Sequence, residues 1–141
     1  MTVSHLRPAL VLAVWTFLVW TTRIRNIWTD NSLTTGGQVW RTALALAFTA
    51  FAVATVAAWA RARRAAPWSA SGWLVRAFAL WTTGVWVVRA VQIANADHDL
   101  AFVLVHTALA VVSIVLAVWA DRRANRADRA SRPTGSRPAR V

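Results

Sequence analysis

Two arginines, Arg23 and Arg89, sit at the ends of long apolar runs, and each is followed three residues later by an amide, Asn26 and Gln92. A guanidinium and a carboxamide one helical turn apart can grip a carboxylate or a phosphate, because guanidinium offers a rigid fork of donors. The same pattern also serves plain anchoring: arginine near a helix end reaches lipid phosphates, and tryptophan prefers that depth. Anchoring is the first reading. Capture of an anionic headgroup or a carboxylate is the alternative.

His106 is the one titratable group well inside the last apolar run. A histidine there fits a helix-to-helix hydrogen bond better than a proton relay, and a pH-responsive element is a further reading. Asp99, His106 and Ser113 recur every seven residues and share a helix face. Successive members stand about 10 Å apart along the axis, far beyond hydrogen-bond reach, so they form no catalytic triad.

The acidic stretch "ADHD" at 96–99 holds two carboxylates and a histidine. A metal needs three or four convergent ligands, and capping of the next helix by Asp97 or Asp99 accounts for the residues better. No phosphate loop, dinucleotide fingerprint or catalytic carboxylate pair occurs, and the lack of cysteine excludes disulfides and thiol chemistry. The residues point to a non-enzyme with no cofactor and no metal.

The elements that must position these groups are apolar. Of 141 residues 57% are hydrophobic, yet the formal charge is +11 and all the basic residues are arginine. Long apolar runs broken by arginine-rich patches describe a multi-pass membrane protein. Four spans are expected near 8–28, 41–60, 73–94 and 100–120. The third has an uncharged core of only about 18 Å between Arg76 and Arg89, so it crosses only if both arginines snorkel. The first carries Trp15 and Trp20 and runs into Arg23 and Arg25, which fits a retained helix and not a cleaved signal.

Orientation follows from the arginines. Arg7, Arg61, Arg63, Arg64, Arg76 and those of the tail fall on one side; Arg23, Arg25, Arg41 and Arg89 fall on the other. The positive-inside rule then places both termini in the cytoplasm of a cell membrane. Residues 121–141, rich in Arg, Ala, Pro and Ser, are expected to form a basic disordered tail lying against anionic lipids. The tail lacks aromatics for stacking bases, so nucleic acid is not an expected partner.

The chain also reads as a duplication, residues 1–64 and 65–120. A shift of 66 lays Trp15 on Trp81, Thr16 on Thr82, Val19 on Val85, Trp20 on Trp86, Arg23 on Arg89 and Ile27 on Ile93, with Asn26 on Gln92. At about 100° per residue the matches fill less than half of the helix circumference, and Arg25 lies outside it. The second helices match less well: "TALA" at Thr42 and Thr107 favours a shift of 65, and "AWA" against "VWA" a shift of 60. Two spans separate the copies, so these are parallel repeats, two helical hairpins whose first and third helices are expected to face each other. Trp15 and Trp81 lie mid-span and need partners for their indole N–H groups, for which Thr16, Thr82 and Thr83 are candidates. The face made by Trp15, Trp20, Arg23 and Asn26 with Trp81, Trp86, Arg89 and Gln92 is the candidate site.

The "VWxxxxWxxRxxNIW" face followed by "HTALAVVS" resembles small uncharacterised integral membrane proteins of actinobacteria, some of them a single such hairpin. The resemblance implies a membrane-embedded hairpin and no activity, cofactor or catalytic residue. The expected function is an accessory or scaffold subunit, or a homo-oligomer, working through helix and lipid contacts. The alternative is a small transporter or ligand-binding protein with its site between the repeats.

Overall fold

The computed structural model describes residues 7–29, 34–63 and 72–131. They form four α-helices: α1 (Arg7–Thr29), α2 (Thr35–Ala62), α3 (Gly72–Ala94) and α4 (Leu100–Ser131), with no strand among the described residues. Three of them, α2, α3 and α4, are long and apolar enough to cross a membrane. Helix α1 has 23 residues, about 35 Å of rise, but Arg23, Arg25, Asn26 and its run of threonines and tryptophans keep it outside that group.

Capping follows local chemistry. The Thr34 hydroxyl accepts from Gly37 N at 3.2 Å and starts α2, and Asp99 Oδ1 accepts from Phe102 N at 2.7 Å and starts α4. Each satisfies an N–H that the helix leaves orphaned. Ser71, the expected cap of α3, lies outside the described residues.

Helix α1 packs chiefly on α2, and α3 on α4; the two pairs meet mainly through α1 and α4, less through α2 and α3. The helices therefore run in order around the bundle, with α1 and α3 at opposite corners. The expected face-to-face contact of the first and third helices gives way to this order because short connections make sequence neighbours into packing neighbours. The interior is filled by Leu12, Phe48, Val75 and Phe78, none more than 2% exposed, and lined by Ala45, Ala52, Ala117 and Ala120. The outward faces carry Val, Leu and Trp on every helix, as a bilayer solvent permits.

The buried positions of α1 and α3 coincide at the displacement of 66: Ala9 with Val75, Leu12 with Phe78, Ala13 with Ala79, Thr16 with Thr82, Trp20 with Trp86, Ile27 with Ile93. Those of α2 and α4 coincide at 65: Ala45 with Ala110, Phe48 with Ser113, Ala52 with Ala117, Thr55 with Ala120. Burial thus follows 65 and not 60 for the second helices.

The largest departure from expectation is the C-terminal segment. Residues 121–131, expected to be disordered, continue α4, and residues 132–141 lie outside the described part. Asp121, Asn125 and Asp128 fall at helical spacing on the face toward α3, where Arg76 pairs with Asp121 at 3.7 Å and Asp128 at 3.9 Å. Arg76 Nη2 also donates to Asn125 Oδ1, and Asn125 Nδ2 donates to Asp121 at 2.9 Å. Gly72 allows the close approach, since a Cβ there would stand 2.9 Å from Asp128 Oδ2. Four arginines, Arg122, Arg123, Arg126 and Arg129, are left on the outer face.

Because Arg76 is half-exposed, each of its ion pairs contributes little, up to about 1 kcal/mol. Arg76→Ala should therefore leave the bundle intact while hydrogen exchange at 121–131 accelerates by roughly threefold to thirtyfold, the range two such pairs allow. Unchanged protection there would mean that the extension stands without the clamp.

Candidate functional site

The face that the sequence reads as repeated divides into a packed part and a charged part. Thr16, Trp20 and Ile27 of α1 are buried, as are Thr82, Trp86 and Ile93 of α3. Trp20 stacks on Phe48 with ring centroids 4.3 Å apart and planes at 15°. Phe48 in turn meets Trp81 at 6.0 Å, and Trp81 meets Phe51 at 6.3 Å, which stacks on Phe78 at 5.4 Å. An aromatic series thus links α1 through α2 to α3. Offset ring contacts of this kind add about 0.5–1.5 kcal/mol each beyond buried area.

Trp15 finds its partner elsewhere than expected. Its Nε1 donates to Ser113 Oγ of α4 at 2.9 Å, and not to Thr16, Thr82 or Thr83. At the corresponding place Trp81 meets Phe48, which occupies in α2 the position that Ser113 holds in α4. One tryptophan of the matched pair is held by a hydrogen bond and the other by ring contact. Thr82 Oγ1 is sealed from solvent with no partner. Sequence alone carried no signal for a bond spanning 98 positions.

The charged part lies toward the ends that carry the α1–α2 and α3–α4 connections. Arg23 is half-buried and its Cζ lies 5.8 Å from the Trp20 ring centroid, a cation–π distance. Arg89 Nη1 donates to Gln92 Oε1 at 3.3 Å, while Arg89 Nε is sealed from solvent without a partner. Asn26 and Gln92 are exposed. Arg25 is exposed as well, on the side of α1 away from the packed face. Arg23 lies close enough to Arg89 and Arg41 to be repelled by both.

His106 is half-buried; its Nδ1 hydrogen-bonds the Phe102 carbonyl at 2.9 Å and its ring stacks on Phe102 at 3.9 Å. The expected helix-to-helix bond is replaced by one within α4, because the Phe102 carbonyl lies one turn back on the same face. His98 also meets the Phe102 ring, tilted at 34° with centroids 4.3 Å apart. Asp99 is spent on its cap and Ser113 on Trp15, so the three residues at seven-residue spacing serve three separate contacts. An open apolar groove between α1 and α4, lined by Leu10, Val11, Val14, Trp15, Leu18 and Leu116, shares only Trp15 with the candidate face.

Two experiments test the packed part. Phe48→Ala should destabilise the bundle by about 3–5 kcal/mol, read as a fall in thermal midpoint in detergent. A double-mutant cycle of Trp15→Phe and Ser113→Ala should return a coupling of about 0.6 kcal/mol, as interhelical hydrogen bonds in membranes do; zero coupling would remove the bond from the account. Comparison of the chain with protein-family models, curated proteins and solved structures finds no match.

Proposed function

We propose that this protein is a non-enzymatic, four-span protein of the cell membrane, with both termini cytoplasmic, that acts through helix and lipid contacts as an accessory or scaffold subunit or as a homo-oligomer. The observation that carries the reading is where the duplicated face goes. Thr16, Trp20, Ile27, Thr82, Trp86 and Ile93 are spent on interior packing, and Trp15, Ser113 and Asp99 on structural hydrogen bonds.

The fourth span is α1, which has the required length and shares its burial pattern with α3. The coincidence of buried positions at 66 and 65 supports parallel repeats. Exposed tryptophans near helix ends, Trp28, Trp40 and Trp73, support a membrane belt. Helix α2 also exposes Ala43 and Ala50, and small residues let a second helix approach closely.

A transporter with its site between the repeats would need Trp20 and Trp86 to face a passage, whereas they are 7% and 3% exposed inside the bundle. The contact reading predicts that the protein runs on blue native gels of mild-detergent extracts well above its monomer mass, and that cross-linking from exposed α2 positions captures a second chain. A monomer under both conditions would refute it.

A further inference from the structure

We propose that the four helices build an anion site from Arg23, Arg41, Arg89 and His106, one residue from each, which takes a phosphate group at the end of the bundle that carries the α1–α2 and α3–α4 connections. It deepens the lipid-contact part of the reading above and rests on α1 lying in the same bilayer as the other helices.

The four residues share a level. Arg23 precedes the end of α1 at Thr29 by six residues, Arg41 follows the start of α2 at Thr35 by six, Arg89 precedes the end of α3 at Ala94 by five, and His106 follows the start of α4 at Leu100 by six. At the helical rise each lies about 8–9 Å inside its helix end. The displacements that superimpose the buried positions carry Arg23 onto Arg89 and Arg41 onto His106. The ring is therefore composed of two matched pairs at opposite corners.

Among the described residues no ion pair reaches Arg23, Arg41 or Arg89, although the carboxylates of Asp97 and Asp99 stand in the α3–α4 connection at this end. Arg23, Arg41 and Arg89 repel one another, and His106 feels Arg23, Arg89 and His98. The ion pairs of the described residues lie at the other end, on Arg76, and Asp99 is turned to its helix cap. Like charges drawn together in a low-dielectric setting are costly unless an anion joins them.

Two polar atoms at the same level lack a partner among the described residues. Arg89 Nε is sealed from solvent with no acceptor, and so is the hydroxyl of Thr42, next in sequence to Arg41. A phosphate presents enough oxygens to accept from several guanidinium forks at once. His106 Nδ1–H donates to the Phe102 carbonyl, so Nε2 is an acceptor in the neutral ring and donates to the phosphate only as the imidazolium.

Two sources supply this chemistry, the phosphodiester of an anionic lipid and free phosphate. Native mass spectrometry of the full-length protein separates them, with phosphatidylglycerol and inorganic phosphate as probes. Wild type should retain a phosphatidylglycerol adduct, and Arg23→Gln with Arg89→Gln should weaken it about tenfold or more, as loss of charge-assisted hydrogen bonds dictates. Arg41→Gln alone, at an exposed position, should weaken it less, and Arg25→Gln should match wild type.

Failure of millimolar inorganic phosphate to displace the lipid assigns the site to a headgroup. Displacement, or a phosphate adduct without lipid, assigns it to the free anion. Equal binding by wild type and by both the double variant and Arg41→Gln, or no adduct with either probe, overturns the site. Size-exclusion elution identical to wild type shows that the variants fold, and because the readout is adduct mass, a monomeric protein can pass it.

Discussion

Close fit between bulky and smooth helices is the constraint on which the bundle rests. Helices α1 and α3 bring Leu12, Trp20, Phe78 and Trp86 to the interior, while α2 and α4 answer largely with Ala45, Ala52, Ala110, Ala117 and Ala120. In a hydrocarbon solvent no hydrophobic force drives one helix onto another, so contact enthalpy and small-residue approach must do it. Phe48 departs from the pattern, being a fully buried ring on a smooth helix, and the aromatic series from Trp20 to Phe78 is built around it.

The departure makes the two halves unequal. Position 48 in α2 corresponds to position 113 in α4, where serine stands instead. A ring at one place and a hydroxyl at the other turn matched tryptophans to different uses, Trp81 to ring contact and Trp15 to a hydrogen bond. Helix α1 also packs more extensively on α4 than α3 does on α2. The small serine admits the indole of Trp15 toward α4, whereas the ring of Phe48 fills the corresponding space.

The two ends of the bundle treat charge in opposite ways. At one end Arg76 is ringed by Asp121, Asn125 and Asp128, and α4 gains a supported extension. Helix α4 at 32 residues is about 48 Å long, well beyond a hydrocarbon core of about 30 Å. At the other end Arg23 rests on Trp20 and Arg89 on Gln92, and both feel Arg41 without a carboxylate between them among the described residues.

Sequence by itself determined the helical class, the apolar core of each helix and a cap at Asp97 or Asp99, because apolar run length and capping chemistry are local properties. It also singled out Arg23 from Arg25, since a periodic face can be read along one helix. The order of helices around the bundle, the Trp15–Ser113 bond and the extension of α4 were decided only by tertiary structure. Residues 121–131 have no apolar stripe; their helix is held by a polar face whose partner, Arg76, lies on another helix. Arg41 and His106 read separately as one arginine in the orientation count and a lone histidine, and only the common end of four helices brings them to one level with Arg23 and Arg89. Each of these depends on pairs far apart in the chain, and periodicity along a single helix holds no record of what stands opposite it.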